Sequence, residues 1–147
     1  MIKMDEFTEL GRYKLYAVNK SENHVKYLYE LLKQRKYNIS HERLPPYEKH
    51  LAFVLEHPYR FWFVLERDQK RIGAVYINYD NSIGIDVDIS QITYNVLMRL
   101  LLIVTSPLPE IKSIRSGYFF VNVSPVNLGM INWLVEGDAK PFQVSYR

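Results

Sequence analysis

Two pairs of side chains in this sequence have the types and spacing for proton transfer. His41 and His50 are imidazoles, which titrate near neutrality, so either could take a proton from an amine. Tyr47 precedes His50 by three residues, which puts both on one face of a helix that carries them. Asp86 and Asp88 alternate along an apolar run, on one face of a strand, where a carboxylate could accept an amine proton directly or through water. Each pair also has a plainer reading: a packed or helix-capping histidine, and solvated charges at a strand end.

Other chemistries lack their residues. The chain has no cysteine, which removes disulfides, thiol catalysis and zinc–thiolate sites. No G-x-S-x-G elbow, G-x-G-x-x-G loop or Walker loop occurs. His41, His50 and His57 have no metal-ligand spacing, so no metal is expected. The run Phe61-Trp62-Phe63 reads as core strand rather than a base-stacking platform.

Patterning predicts the elements that carry these residues. Tyr13 to Val18 alternates as an opening strand, and Ser21 caps a helix from about 21 to 36 with Val25, Leu28, Tyr29 and Leu32 on one face. Asn38-Ile39-Ser40-His41 breaks that period. A second helix enters at Pro45-Pro46, carries Tyr47, Leu51, Val54 and Leu55, and closes before Pro58. Three β-rich runs, 60–66, 71–79 and 82–89, separated at Asp68-Gln69 and Asp80-Asn81, predict an antiparallel meander. The almost wholly apolar segment 91–105 predicts a buried helix. A strand over 118–123, a short helix near 127–135 and a last strand over 142–146 complete the expected order. The sum is one α/β domain over residues 1–147, a three-layer sandwich whose mixed, mostly antiparallel sheet of about six strands is flanked by helices.

A chain of 147 residues, 48% hydrophobic, suits one domain, and its net charge of +3 is scattered among interleaved acids. A nucleic-acid binder would show a basic stripe, so no nucleic acid is expected. Apolar stretches such as Leu100 to Val104 are too short to span a bilayer, and Met1 to Glu6 lacks the apolar core of a signal peptide. These features predict a cytoplasmic protein without a membrane partner.

The order of elements resembles that of the GNAT superfamily of acyl-CoA-dependent N-acyltransferases, from Tyr13 to Tyr146. In detail it is similar to small bacterial members of surface-polysaccharide and amino-sugar pathways. The likeness runs through Leu32-Lys33-Gln34-Arg35, Asn38 to His41, Tyr47 to His50, His57 to Trp62, Ile72-Gly73, Tyr76, Ile83-Gly84-Ile85, Asn127 and Phe142 to Tyr146.

The resemblance implies transfer of an acetyl or other acyl group from acyl-CoA to the amine of a small molecule such as an amino sugar. It implies that the cofactor lies along Val87, Asp88 and Ile89, with Ser90, Gln91 and Thr93 at the phosphates and Asn122 and Asn127 at the cleft mouth. It further implies an acceptor pocket formed by Asn38, His41, Tyr47, His50 and Tyr76, with Asp86 and His50 as the catalytic groups. A homodimer is left open. Two features depart from the pattern. The loop between Val87 and Leu97 has no glycine, and its Asp88 would oppose a polyphosphate. Leu134 stands where many members place a tyrosine that protonates the leaving thiolate. The alternative implied is a GNAT-like fold kept as a ligand-binding or protein-interaction module without catalysis.

Overall fold

A computed structural model of the chain describes residues 7–35 and 44–146. Its sheet has six strands in chain order: β1 (Phe7–Leu10), β2 (Tyr13–Ala17), β3 (Phe61–Arg67), β4 (Lys70–Ile77), β5 (Ser82–Val87) and β6 (Phe120–Val121). Every neighbouring pair is antiparallel except β5 and β6, which run parallel. The meander expected from the sequence is β3, β4 and β5. Its first turn places Asp68 and Gln69 both at positive φ, the primed-turn geometry that matches the twist of two-residue hairpins.

Among the described residues, four helices cover both faces: α1 (Glu22–Gln34), α2 (Tyr47–Leu55), α3 (Tyr94–Val104) and α4 (Leu128–Glu136). Alternation along the strands divides the core in two. Leu15, Phe63, Leu65, Val75, Ile77 and Ile83 pack against Leu97, Leu100 and Leu101 of α3 and Trp133 and Leu134 of α4. Val64 and Ala74 point the other way, onto Val25 and Leu28 of α1 and Val54 of α2. A register shift beside Leu65 and Glu66 adds a residue on β4, and Ile72 thereby joins the α3 side although Ala74 faces α1. The three layers expected from the sequence are present.

The helix starts follow local chemistry. Ser21 accepts from the His24 backbone N–H, Thr93 from that of Val96 and Asn127 from that of Met130, each satisfying a donor of a first turn.

Three details differ from the sequence reading. β1 was not expected; it folds back on β2 through Gly11, which has φ +61°. The strand expected over 118–123 pairs only at Phe120 and Val121. The final run 142–146 is not a strand but exposed chain, with Phe142 packed edge-on to Tyr118 and Phe120. A two-residue β6 presents too short a ladder to pair another strand.

The contact of β5 with β6 is limited to Ser82↔Phe120 and Ile83↔Val121. Among the described residues, β5 pairs with β4 alone from Gly84 to Val87, so the two parallel strands separate halfway along the sheet. Buried Asn81 fixes where they part. It donates to the Leu108 and Ser116 carbonyls at 3.0 and 2.7 Å and accepts from the Leu108 N–H at 2.7 Å, holding the incoming chain before β6.

Candidate functional site

A cavity of about 230 Å³ lies between α1, α2 and the open part of the sheet. Tyr76, Gly84 and Asp86 line it from β4 and β5, Leu28, Leu31 and Leu32 from α1, and His50 and Phe53 from α2. Tyr59 and Trp62 complete an aromatic wall. The Tyr59 ring stacks on Tyr76 with centroids 4.0 Å apart and planes 8° apart, and Trp62 meets Tyr59 edge-on at 5.0 Å. Burial pushes both tyrosine hydroxyls above their ordinary range, so each remains a neutral O–H donor at physiological pH.

Arg35, the residue that closes α1, crosses to the sheet. Its Nη2 donates to Asp86 Oδ2 at 3.1 Å, and both side chains are about a third exposed at the cavity rim. A guanidinium on a carboxylate gives a charge-assisted bond at a site of reduced solvation. Asp86 therefore lines the cavity already held by the Arg35 cation.

His50 is buried, and its Nε2 lies 2.9 Å from the Val25 carbonyl oxygen. A carbonyl only accepts, so Nε2 carries the hydrogen and Nδ1 the lone pair. Burial lowers the His50 pKa, against a smaller opposing effect of the Val25 carbonyl, and the ring stays neutral at physiological pH. Tyr29 packs beside both His50 and Tyr47, at centroid distances of 5.0 and 5.1 Å. Tyr47 lies 6.1 Å from His50, as the helix spacing implies, but it is not part of the cavity lining. His50, Tyr76 and Asp86 thus meet at one cavity. Asn38 and His41 fall outside the described residues.

A more polar hollow of about 510 Å³ adjoins this cavity and shares Leu31 and Asp86 with it. Val87, Asp88 and Gln91 of the expected cofactor set line it, together with Tyr27 and Arg71. The remaining members of that set are dispersed. Ile89 packs on the α3-side core, Ser90 and Asn122 are exposed, and Thr93 and Asn127 are spent as helix caps. Leu134 is buried in the α3-side core, so it presents no group to the cavity.

The chain fits the two ends of an acyl-CoA differently. The open backbone of Gly84 to Val87 suits an extended acyl-pantetheine arm, which can add to a strand as a further strand would. The loop that follows is already occupied. Asp88 Oδ1 accepts from the Ser90 N–H at 3.1 Å and from Ser90 Oγ at 2.6 Å, and Oδ2 accepts from Gln91 Nε2 at 2.8 Å. These bonds, led by the Ser90 hydroxyl, hold the Asp88 carboxyl below its usual pKa. The side chain is thus an internal anion on the donors a pyrophosphate would use. Arg71, ringed by Tyr27 at 5.2 Å, supplies a cation in the same hollow.

No protein-family model matches the sequence, and no curated protein matches it either. Solved structures do match. A ribosomal L7/L12 alpha-N-protein acetyltransferase, RimL, in complex with coenzyme A aligns with TM-score 0.60 at 14% identity, over 90% of this chain and 82% of that one. The dodecameric spermidine N-acetyltransferase of Vibrio cholerae gives 0.54 at 15% identity, over 87% and 79%. An aminoglycoside acetyltransferase from an uncultured soil metagenomic sample, in complex with sisomicin, gives 0.53 at 13% identity, over 92% and 95%. At such identities the likeness is one of fold, and the fold is that of the GNAT acetyltransferases.

Proposed function

We propose that this GNAT-fold chain transfers an acyl group, acetyl being the simplest, from acyl-CoA to the primary amine of a small molecule. One observation carries the reading: the stretch of β5 from Gly84 to Val87, which among the described residues pairs with β4 alone, runs directly beside a cavity lined by Asp86, Tyr76 and His50. Solved proteins of this fold act on amines of a protein, of spermidine and of an aminoglycoside, which supports an amine as acceptor. An amino sugar, the class implied by the sequence resemblance, is one such amine.

Bound acyl-CoA supplies a thioester carbonyl carbon as electrophile. The neutral amine attacks that carbon, a C–N bond forms, the C–S bond breaks, and the sulfur leaves as a thiolate that takes up a proton. Asp86 orients the incoming ammonium and accepts its proton; the neutral His50 ring, through Nδ1, is a second acceptor at the same cavity. A backbone N–H between Gly84 and Val87 polarises the carbonyl, a role that leaves no mark on residue identity. The Tyr59–Tyr76 stack and Trp62 keep water from the reacting atoms. Absence of cysteine suits a reducing cytosol, and among the described residues no helix is long and apolar enough to cross a membrane.

Thiol release tests the reading without background, because the protein has no thiol of its own. Acetyl-CoA with a panel of primary amines is expected to liberate free coenzyme A in proportion to amide formed. Saturating acetyl-CoA, at ~100 times its dissociation constant, should also add about 2.7 kcal/mol, roughly 5–10 °C in melting temperature. A flat melting temperature in millimolar acetyl-CoA together with no thiol release would sink the transferase and leave the fold as a binding module, the reading that the Asp88-filled loop favours.

A further inference from the structure

We infer that the acceptor is a compact zwitterion: a primary amine beside a carboxylate, carried on an apolar or aromatic body, of which a free aromatic amino acid is the simplest example. The inference rests on reading the cavity as the acceptor site, and it comes from how the lining distributes charge. Among the described residues, three charged side chains line the cavity, the cations Arg35 and Lys49 and the anion Asp86. Arg35 and Asp86 face each other at 3.1 Å, and Asp86 also lines the adjoining polar hollow. The rest of the lining is dominated by Leu28, Leu31, Leu32, Phe53, Tyr59 and Trp62.

Consider what each class of amine would do to that ion pair. A purely cationic ligand that took Asp86 would leave Arg35 half-buried without its partner and beside another cation. Stranding one member of such a pair is costly. An uncharged polar ligand would have to compete with an existing charge-assisted bond. A zwitterion does neither. Its ammonium replaces Arg35 at Asp86, its carboxylate replaces Asp86 at the guanidinium in a fork geometry that Arg matches well, and every charge stays paired. The exchange also delivers the nitrogen to Asp86, the residue on β5 next to the open backbone. Lys49 adds a second attraction for the carboxylate. The apolar body then fills the aromatic end. An apolar cavity of ~150 Å³ takes up benzene, so about 230 Å³ suits one ring with a short polar head.

Calorimetry on the intact protein tests this with L-phenylalanine, phenethylamine (no carboxylate), 3-phenylpropionate (no amine), spermidine and glucosamine. L-Phenylalanine is expected to bind at least about tenfold more tightly than any of the others. Arg35→Ala should weaken it until its advantage over phenethylamine is under about threefold, and Arg35→Lys should restore part of that advantage. Tighter binding of phenethylamine, spermidine or glucosamine, absence of any binding by L-phenylalanine, or a preference that survives Arg35→Ala would overturn the inference. Should Arg35→Ala not fold, the wild-type panel decides alone. Thiol release from acetyl-CoA is scored separately. Binding of the amino acid without thiol release would remove the transferase and keep the ligand class; thiol release with phenethylamine but not L-phenylalanine would do the reverse.

Discussion

The ring of Tyr76 lies on the backbone of Gly84, so close that a Cβ at position 84 would come within 2.0 Å of a ring carbon. Residues 76 and 84 are cross-strand partners, and the missing side chain is what lets the ring lie flat along the sheet and stack on Tyr59. Gly84→Ala must push the ring out of that stack. Overpacking of this kind costs about 1–3 kcal/mol. The expected result is a lower melting temperature and loss of acceptor binding with acyl-CoA binding less affected. Unchanged acceptor affinity in Gly84→Ala would show that the stacked ring does not shape the cavity.

Asp88 leads to the opposite kind of prediction, a gain. Replacing it with asparagine removes a negative charge from the hollow that holds Arg71. It also weakens the hold on the Ser90 and Gln91 donors. Asp88→Asn should bind coenzyme A more tightly by about fivefold or more, near 1 kcal/mol. Titration calorimetry in low salt reads this directly, and equal or weaker binding would place the phosphates elsewhere.

His50 fastens α2 to α1 through its bond to the Val25 carbonyl, and it packs on Tyr29. His50→Ala removes a buried ring and a buried hydrogen bond, so a loss of about 2–3 kcal/mol is expected. Melting of the unliganded protein checks this. Turnover should fall alongside stability, because the same ring lines the cavity. A variant that melts normally yet has lost turnover would assign His50 to proton transfer alone.

Three histidines predict the pH profile. Burial lowers the pKa values of His24, His50 and His57, with smaller contributions from Arg71 at His24 and Lys20 at His57. The unfolded chain takes up these protons near pH 6.5 and the folded chain only at lower pH, so acid favours the unfolded state. Stability should be full above about pH 7 and decline as pH falls through about 6.5. Carboxylates with lowered values, such as Asp88, lose their contribution only further into acid. Urea midpoints at pH 7.5 and 5.5 read the histidine part; equal midpoints would contradict it.

The fold was legible in the sequence wherever one period dominated. The meander β3–β5, the apolar α3 and the cap at Ser21 all rest on local signals, and the structure has them within a few residues of the expected bounds. β1 escaped because a four-residue edge strand carries too little alternation to register. The final strand failed because 142–146 has strand composition but no long neighbour to pair with. For the candidate site, Asp86, His50 and Tyr76 were within reach because they are polar groups on strongly patterned elements. Arg35 and Tyr59 carry no such signal, and Trp62 reads from sequence as core strand although it lines the cavity. Arg35 meets Asp86 across 51 positions of sequence, and pairing at that range leaves no local trace. The charge of Asp88 is plain in the sequence, but its bonds to Ser90 and Gln91 depend on the turn that follows β5.

The chain contains two tryptophans, and the fold has separated them. Trp62 stands in the aromatic wall of the acceptor cavity, whereas Trp133, on α4, donates from Nε1 to the Ile92 carbonyl at 2.7 Å, within the loop that precedes α3. Each indole is therefore a natural optical probe of a different half of the molecule. Emission from Trp62 would follow occupancy of the cavity, and emission from Trp133 would follow rearrangement of the Asp88 loop. Single Trp→Phe variants would let the order in which two ligands arrive be watched in real time, with no dye attached.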